Sequence, residues 1–295
     1  MAAMLVTFVF GSVHAFSVFL VPLESLLQLP RSQVSLVYSV ALVAITLAVT
    51  LGYRIYALLP AWWLLTLTGL VAAGGLWLAA VASNWWALLA GYSLGFGFAN
   101  GIGYGYCLQL VGRVMPARQG AAMGAVTAAY AVGSIVFARV FAWRIAADSV
   151  ASALLSIAGA VLLATLLAAV VMYRAGASYG VAQPPLMRAE AAPQSGLLLR
   201  FWFAYMTGVF AGLMAIGHAA GIAQSHSAGL ELAAWAAVTV GIGSALGGFV
   251  AGGLVDRWPV SRFLVGLPLL SAAALLGIAA GPDAALTLAL LAIAG

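Results

Sequence analysis

Charged residues are scarce in this chain. Only 6% of its 295 residues are charged, whereas 65% are hydrophobic; an average soluble domain carries about 25% charged residues. The eleven basic residues are all arginines, with no lysine, and six carboxylates accompany them. So little charge cannot cover a water-exposed surface, which excludes a soluble fold. The composition predicts an all-α polytopic membrane protein, and we expect a bacterial inner membrane.

Other absences exclude further classes of function. The single cysteine, Cys107, excludes an intrachain disulfide and a multi-cysteine metal site. The arginines stand singly or in pairs without interleaved aromatics, so no nucleic-acid partner is expected. The apolar stretches contain no nucleophile–base pair and no cluster of metal ligands. We therefore expect no enzyme, no metal and no other cofactor.

Proline, glycine and charged residues divide the chain into ten predicted membrane spans. The first nine lie at 2–23, 33–58, 61–82, 85–110, 118–142, 149–173, 199–225, 230–252 and 263–280. A tenth begins at about 284 and has twelve residues up to and including Gly295. At about 1.5 Å per residue, twelve residues do not cross a hydrocarbon core of about 30 Å. The sequence is therefore expected to end inside a span, as a truncated chain would.

The distribution of arginine predicts the orientation. With a cytoplasmic N-terminus, eight arginines fall in cytoplasmic connections, whereas Arg31, Arg139 and Arg144 lie outside. The longest polar connection, 174–198, is rich in proline, alanine and small polar residues, so we expect a flexible cytoplasmic linker. It separates an N-terminal six-span half, 1–173, from a C-terminal half, 199–295, with spans 7–9 and part of span 10.

A weak internal repeat supports this division into halves. An offset of 200 residues places Val9-Phe10-Gly11-Ser12 opposite Val209-Phe210-Ala211-Gly212, and Gly52 opposite Gly252. Span 1 then corresponds to span 7, and span 2 to span 8. This correspondence is expected of a transporter built from two parallel halves.

A compact charged turn, GGLVDRWPVSR (252–262), connects spans 8 and 9. Gly252 lets two helices approach closely, and Asp256 is expected to cap the next helix or to pair with an arginine. Arg257 and Arg262 complete the turn. The alternative is an ordinary cytoplasmic turn that carries positive charge.

The pattern Gly-x-x-x-Asp-Arg, followed by a further Arg, resembles the loop signature of the major facilitator superfamily. Three other stretches resemble its oxalate/formate antiporter branch, which is related to monocarboxylate transporters: HAFSVFLVPLESLLQLPRSQVSLVYS (14–39), GFGFANGIGYGYCLQLVGRVMPARQGAAMGAV (95–126) and FAGLMAIGHAAGIAQ (210–224). The resemblance implies a major facilitator fold with two pseudo-symmetric helical halves, the second incomplete here. It also implies a cytoplasmic latch at 252–262 and exchange of a small organic anion, a mono- or dicarboxylate, by alternating access. We expect a monomer.

The chain departs from the branch in two places. Span 8 of the branch carries an Asn-x-x-Gly-Arg run whose arginine is associated with carboxylate binding, but Gly248 stands at that position. The first-half link has Gly52 and Arg54, yet Tyr56 occupies the place of Asp256. A monocarboxylate or a neutral solute is therefore an open alternative to a dicarboxylate. A non-transporting sensor, scaffold or inactive fragment is a further alternative.

The candidate solute-binding residues lie inside the spans, where polar groups are usually functional. All six carboxylates fall in links or at span ends, so no acidic proton relay is predicted, although histidine can replace one. At the offset of 200, His218 corresponds to Val18, one turn from His14, so the two histidines are expected on comparable faces of spans 1 and 7. The remaining candidates are Tyr38, Tyr104, Tyr130 and Arg139. The alternatives are histidines that serve helix packing and an arginine that extends to the outer headgroups.

Overall fold

The computed structural model describes residues 1–176, 195–225 and 230–295, and all regular structure within these ranges is helical. The α-helices are α1 (Ala2–Phe10), α2 (Leu20–Leu27), α3 (Arg31–Tyr56), α4 (Ala61–Ala80), α5 (Trp85–Leu88), α6 (Phe98–Val114), α7 (Gln119–Ala147), α8 (Val150–Arg174), α9 (Ser195–Ser225), α10 (Leu230–Val255), α11 (Val260–Ala279) and α12 (Ala284–Ala294). A 3₁₀ segment, Gly11–Phe19, joins α1 to α2, and a π-helical segment, Leu89–Gly97, joins α5 to α6. A 3₁₀ turn, Pro116–Arg118, precedes α7.

Each predicted span coincides with a helix or a continuous run of helical segments, with ends that agree within five residues. Span 1 is α1 to α2 with its 3₁₀ segment, and span 4 is α5 to α6 with its π segment. Seven of the described helical stretches are long and apolar enough to cross a membrane. The chain is therefore an all-α polytopic integral membrane protein. Residues 177–194 of the predicted linker, 174–198, lie outside the described residues, and its last four residues belong to α9, which begins at Ser195.

Local sequence sets the beginnings of several helices. The side chains of Asn84, Ser149 and Asp283 accept hydrogen bonds from the backbone N–H three residues later, at 2.9, 3.1 and 2.8 Å. They satisfy N–H groups that have no partner within the helix. Pro30 and Pro60 directly precede α3 and α4 in extended conformation, which suits a residue outside the first helical turn. Caps and prolines thus fix where the chain re-enters a helix.

The described residues form two compact units. Residues 1–176 form one unit together with Gly248–Asp256, the end of α10 and the residue after it. In this unit α4 packs against α8, α3 against α6, and the 3₁₀ segment against α7. One continuous core of buried aliphatic and aromatic side chains connects these helices.

The second unit contains α9, α11, α12 and the described part of α10 before Gly248. Its buried core consists largely of small side chains, with Ala219, Ala223 and Ala236 packed beside Val240 and Leu291. In a membrane, small residues of this kind let helix backbones come close to each other.

Glycines let the first span lie directly on α7. A Cβ added at Gly11 would overlap the backbone carbonyl oxygen of Tyr130, and one at Gly133 would overlap that of Phe8. Both obstacles are backbone atoms, so the helices have to separate to admit a methyl group.

We therefore expect Gly133→Ala to destabilise the protein by about 1–3 kcal/mol. The measurement is the midpoint of thermal unfolding in detergent, with an expected decrease of about 5 °C. Gly159→Ala on α8 is the matched control, because a Cβ there meets no atom within 4 Å. Equal midpoints for the two variants would contradict this close approach.

Candidate solute site and helix clasp

The first and fourth spans both depart from α-helical geometry. The 3₁₀ segment of span 1 is nine residues long, although 3₁₀ runs beyond three or four residues are uncommon. Span 4 contains the π-helical segment Leu89–Gly97, and such segments frequently occur at functional sites. His14 lies within the 3₁₀ segment. The backbone irregularity and the candidate histidine thus coincide.

His14 is in contact with two of the predicted tyrosines. Its Nδ1 atom lies 2.6 Å from the hydroxyl oxygen of Tyr38 on α3, a short hydrogen bond. The ring of Tyr130 on α7 meets the imidazole edge to face, with centroids 5.3 Å apart. Tyr104 on α6 follows, with its ring 4.7 Å from that of Tyr130. All four side chains are half-buried.

Asn100 connects this group to the backbone of the first span. The Tyr130 hydroxyl donates a hydrogen bond to Asn100 Oδ1 at 3.2 Å, and Asn100 Nδ2 donates to the Phe10 carbonyl oxygen at 2.7 Å. Asn100 is fully buried, and a buried amide needs such partners. We call His14, Tyr38, Tyr104, Tyr130 and Asn100 the polar cluster.

Aromatic side chains pack around the polar cluster. Phe16 stacks on Tyr38 with centroids 5.9 Å apart and meets Tyr92 at 4.8 Å. The Tyr92 hydroxyl donates to the Val13 carbonyl oxygen at 3.3 Å. The polar cluster is therefore packed against aromatic side chains that have little freedom to change rotamer.

Two predicted residues are not part of the polar cluster. Arg139 is exposed on α7, nine residues beyond Tyr130, and therefore about half a turn around the helix from it. The His218 side chain lies outside the described residues, although its backbone belongs to α9. The structure thus brings His14, Tyr38, Tyr104 and Tyr130 together, and it places Arg139 on another face.

Asp256 binds the N-terminus of α7. Its two carboxylate oxygens accept hydrogen bonds from the backbone N–H groups of Gly120 and Ala121, at 2.7 and 2.9 Å. The first N–H groups of a helix have no partner within it, and the helix dipole places positive charge there. We predicted a cap on the next helix or a pair with an arginine. That prediction was wrong about the partner: the carboxylate caps α7, which is remote in sequence.

The backbones of α7 and α10 come close beside this cap. A Cβ added at Gly252 would lie 2.5 Å from the Gly120 carbonyl oxygen and 2.8 Å from the Gly124 Cα. A Cβ at Gly124 would likewise overlap the carbonyl oxygen of Gly248. Each helix contributes a Gly-x-x-x-Gly pair, the spacing that permits close helix crossing in membranes. We call this contact, with Asp256, the clasp.

The other residues of the predicted latch have separate surroundings. Arg257 and Arg262 are exposed, and Gly252 belongs to the clasp. In the first-half link, Tyr56 is fully buried, and its ring meets that of Tyr106 at 5.4 Å. The residue at the position equivalent to Asp256 is thus part of the core of its unit.

Sequence reasoning missed Asn100 and three of the clasp glycines: Gly120, Gly124 and Gly248. The two Gly-x-x-x-Gly pairs, 120–124 and 248–252, are visible in the sequence. They are the signal that would have revealed the clasp. The role of Asn100 has no such signal, because it depends on the nearness of the Phe10 carbonyl.

Comparison with protein-family models finds no match for this chain, and comparison with curated proteins finds none either. The polar cluster, the clasp and the membrane spans are therefore the features of this chain that indicate its function.

Proposed function

We propose that this protein is a secondary transporter of the major facilitator type that moves a small organic anion by alternating access, with solute exchange as its characteristic activity. The observation that carries the proposal is the clasp. A carrier of this kind needs a contact on one side of the membrane that forms and breaks in each cycle.

The clasp has properties that suit a reversible contact. Asp256 is exposed, so its two hydrogen bonds to α7 compete with water. Hydrogen bonds to a charged group contribute about 1.5–3 kcal/mol each when they are protected, and exposure to solvent reduces this value. The glycine crossing provides close contact without interlocked side chains. Such a contact holds α7 and the end of α10 together, but it is weak enough for thermal motion to open it.

The positions of the arginines support a cytoplasmic location for the clasp. Arg113 and Arg118 precede the capped end of α7, and Arg257 directly follows Asp256. A cluster of arginines at one end of the spans indicates the cytoplasmic side. The proposal therefore places the N-terminus in the cytoplasm, and a bacterial inner membrane as the location.

The polar cluster supports binding of a small solute. Residues from the first, second, fourth and fifth spans contribute hydroxyl, imidazole and aromatic groups to one half-buried place. Solute sites of transporters of this architecture lie inside the helical bundle, near the middle of the membrane. A second candidate is transport of an uncharged solute. Among the described residues, no arginine belongs to the polar cluster, and Arg139 lies on another face of α7, which favours this second candidate.

Counterflow in proteoliposomes tests the proposal. Vesicles containing the full chain are loaded with an unlabelled carboxylate, diluted, and supplied with the same compound labelled with ¹⁴C. We expect transient accumulation of label for a carboxylate from a panel of formate, acetate, L-lactate and oxalate, and none in protein-free vesicles. If only uncharged sugars show counterflow, the second candidate, transport of an uncharged solute, would replace transport of an organic anion. If the protein exchanges neither a carboxylate nor a sugar, this result would contradict the proposed transport function.

A further inference from the structure

The hydrogen bonds of Asn100 fix the orientation of its side-chain amide. Asn100 Nδ2 donates to the backbone carbonyl oxygen of Phe10 at 2.7 Å. A carbonyl only accepts hydrogen bonds, so the amide atom that faces it has to be the nitrogen, which donates. The amide oxygen, Oδ1, therefore faces the hydroxyl of Tyr130, at 3.2 Å. Because Asn100 is fully buried, these two bonds decide which way the amide points.

This orientation decides the hydrogen-bonding role of Tyr130. A tyrosine hydroxyl has one hydrogen to donate, and its oxygen also accepts. Asn100 Oδ1 can only accept, so the hydrogen of the Tyr130 hydroxyl is used in the bond to Asn100. Within the described part of the chain, Tyr130 forms no second hydrogen bond, and its side chain is half-buried. The Tyr130 oxygen therefore offers an acceptor, and no donor, to a bound solute.

His14 and Tyr38 offer the opposite role. The Nδ1 atom of His14 and the Tyr38 oxygen lie 2.6 Å apart and share one hydrogen. If Tyr38 donates, the hydrogen of the neutral imidazole is on Nε2. If Nδ1–H donates, the hydrogen of the Tyr38 hydroxyl is not used in the shared bond. Either tautomer leaves one hydrogen that none of the described residues accepts, so the pair offers a donor to a bound solute.

We propose that Tyr130, oriented by Asn100, accepts a hydrogen bond from a hydroxyl group of the solute, so that the protein selects small hydroxy acids. This inference rests on the proposed transport function and narrows its substrate class. The rings of His14 and Tyr130 are in contact, with centroids 5.3 Å apart, so the donor and the acceptor lie on adjacent side chains. A 2-hydroxy carboxylate carries the complementary groups: its carboxylate accepts from the His14–Tyr38 pair, and its hydroxyl donates to Tyr130.

Three acids of similar size distinguish this arrangement: L-lactate, propionate and pyruvate. The carbon next to the carboxylate carries a hydroxyl in L-lactate, only hydrogens in propionate and a keto oxygen in pyruvate. The hydroxyl can donate to Tyr130, whereas the keto oxygen places a second acceptor against the Tyr130 oxygen. A site that binds a hydroxyl by a hydrogen bond discriminates strongly against analogues that lack the hydroxyl. We expect affinity to decrease in the order L-lactate, propionate, pyruvate.

Competition in proteoliposomes measures this order. The labelled probe is the ¹⁴C-carboxylate from formate, acetate, L-lactate and oxalate that shows the fastest counterflow. Unlabelled L-lactate, propionate and pyruvate are added outside at neutral pH, where all three are ionised. We expect L-lactate to halve the counterflow at a concentration about tenfold below that of propionate, and pyruvate to require more than propionate. Counterflow of the probe alone reports transport, so selectivity is a separate result.

Two variants assign the selectivity to this pair of residues. Tyr130→Phe removes the acceptor, so L-lactate and propionate should inhibit at similar concentrations. Asn100→Ala removes the group that takes the Tyr130 hydrogen, and the hydroxyl can then donate to a solute. Pyruvate should therefore gain about tenfold relative to propionate, while L-lactate is still preferred to propionate. Asn100 is thus a positioning residue that acts through Tyr130, and a general loss of packing would not change the two ratios differently.

Tyr92→Phe is the matched control. It also removes a buried hydroxyl that donates to a backbone carbonyl of span 1, that of Val13 at 3.3 Å. Tyr92 is not part of the polar cluster. We therefore expect the order of the three acids in Tyr92→Phe to be that of the wild type, even if the variant is less stable.

Several results would overturn the inference. Equal inhibition by L-lactate and propionate in the wild type would mean that no hydroxyl is bound. Stronger inhibition by pyruvate than by propionate would mean that Tyr130 offers a hydrogen. An unchanged order in Tyr130→Phe, or an equal change in Tyr92→Phe, would remove Tyr130 as the determinant. In each case counterflow of the probe leaves the transport function standing, whereas the absence of counterflow for every carboxylate would contradict transport of an organic anion.

Discussion

Replacing Gly252 by leucine is expected to open the clasp and to reduce solute exchange about tenfold or more. The contact is between two backbones, and it has no side chain that can turn away. Even a methyl group at Gly252 would lie 2.5 Å from the Gly120 carbonyl oxygen. A leucine therefore forces α10 away from α7. The carboxylate of Asp256 then moves out of hydrogen-bonding distance from the N–H groups that it now reaches at 2.7 and 2.9 Å.

The size of this effect follows from the interactions that are lost. The Asp256 hydrogen bonds contribute about 1.5–3 kcal/mol each in a protected site, and less on a surface. A total of about 1.4 kcal/mol already changes the population of the closed clasp about tenfold. The loss of contact between the Gly-x-x-x-Gly pairs of α7 and α10 destabilises the closed clasp further.

Alkylation of a reporter cysteine measures the opening. Thr127→Cys places a thiol on α7 beside Gly248, where a Cβ on the glycine would meet Thr127 Cγ2 at 3.6 Å. The native Cys107 is buried, so reaction with N-ethylmaleimide should report mainly the new thiol. We expect about tenfold faster labelling when Gly252→Leu is added.

Gly253→Leu is the matched control. A Cβ at Gly253 meets no atom within 4 Å, so labelling of the reporter and solute exchange should stay near the wild-type values. If Gly252→Leu and Gly253→Leu behave alike, the close contact between α7 and α10 does not exist in the membrane. If Gly252→Leu opens the clasp without an effect on exchange, the clasp is not part of the transport cycle.

The sequence was sufficient to predict the helices but not their internal geometry. Long apolar stretches bounded by proline, glycine and charge have few alternatives to helices in a membrane. The 3₁₀ segment Gly11–Phe19 and the π segment Leu89–Gly97 depend on a shift of hydrogen-bond partners along the backbone. Neighbouring helices decide that shift through side-chain bonds such as the one from Asn100 to the Phe10 carbonyl. No local pattern predicts it.

The candidate site was predictable in part. His14, Tyr38, Tyr104 and Tyr130 were selected as polar or aromatic residues within spans. The structure places them in one continuous chain of contacts, from Tyr38 through His14 and Tyr130 to Tyr104. Arg139 was selected by the same argument, but it lies on a different face of α7 from Tyr130. The partner of Asp256 lies about 136 residues away along the chain. Such a pairing depends on tertiary structure, so the charged turn alone predicted a cap on the next helix or a pair with an arginine, and both predicted partners were wrong.

Asp256→Lys is expected to open the clasp by reversing a charge. The substitution replaces an acceptor of two backbone N–H bonds with an ammonium group that has only donors. It also places positive charge at the positive end of the α7 dipole, where cations are unfavourable. We expect labelling of the Thr127→Cys reporter to rise about tenfold or more, and exchange to fall in proportion. Asp256→Asn still has one oxygen acceptor but no charge, so its labelling rate should lie between those of the wild type and Asp256→Lys.

Salt distinguishes this electrostatic mechanism from simple damage to the fold. Dissolved ions screen charge interactions at exposed groups, with a Debye length of about 10 Å at 0.1 M and about 3 Å at 1 M. Because the Asp256 carboxylate is exposed, labelling of the wild-type reporter should increase between these concentrations. Labelling in Asp256→Lys should decrease, because the same ions weaken its repulsion from α7, and Asp256→Asn should change little. Equal salt dependence in all three proteins would mean that the charge of Asp256 does not hold the clasp. The glycine contact between α7 and α10 would then be its only source of stability.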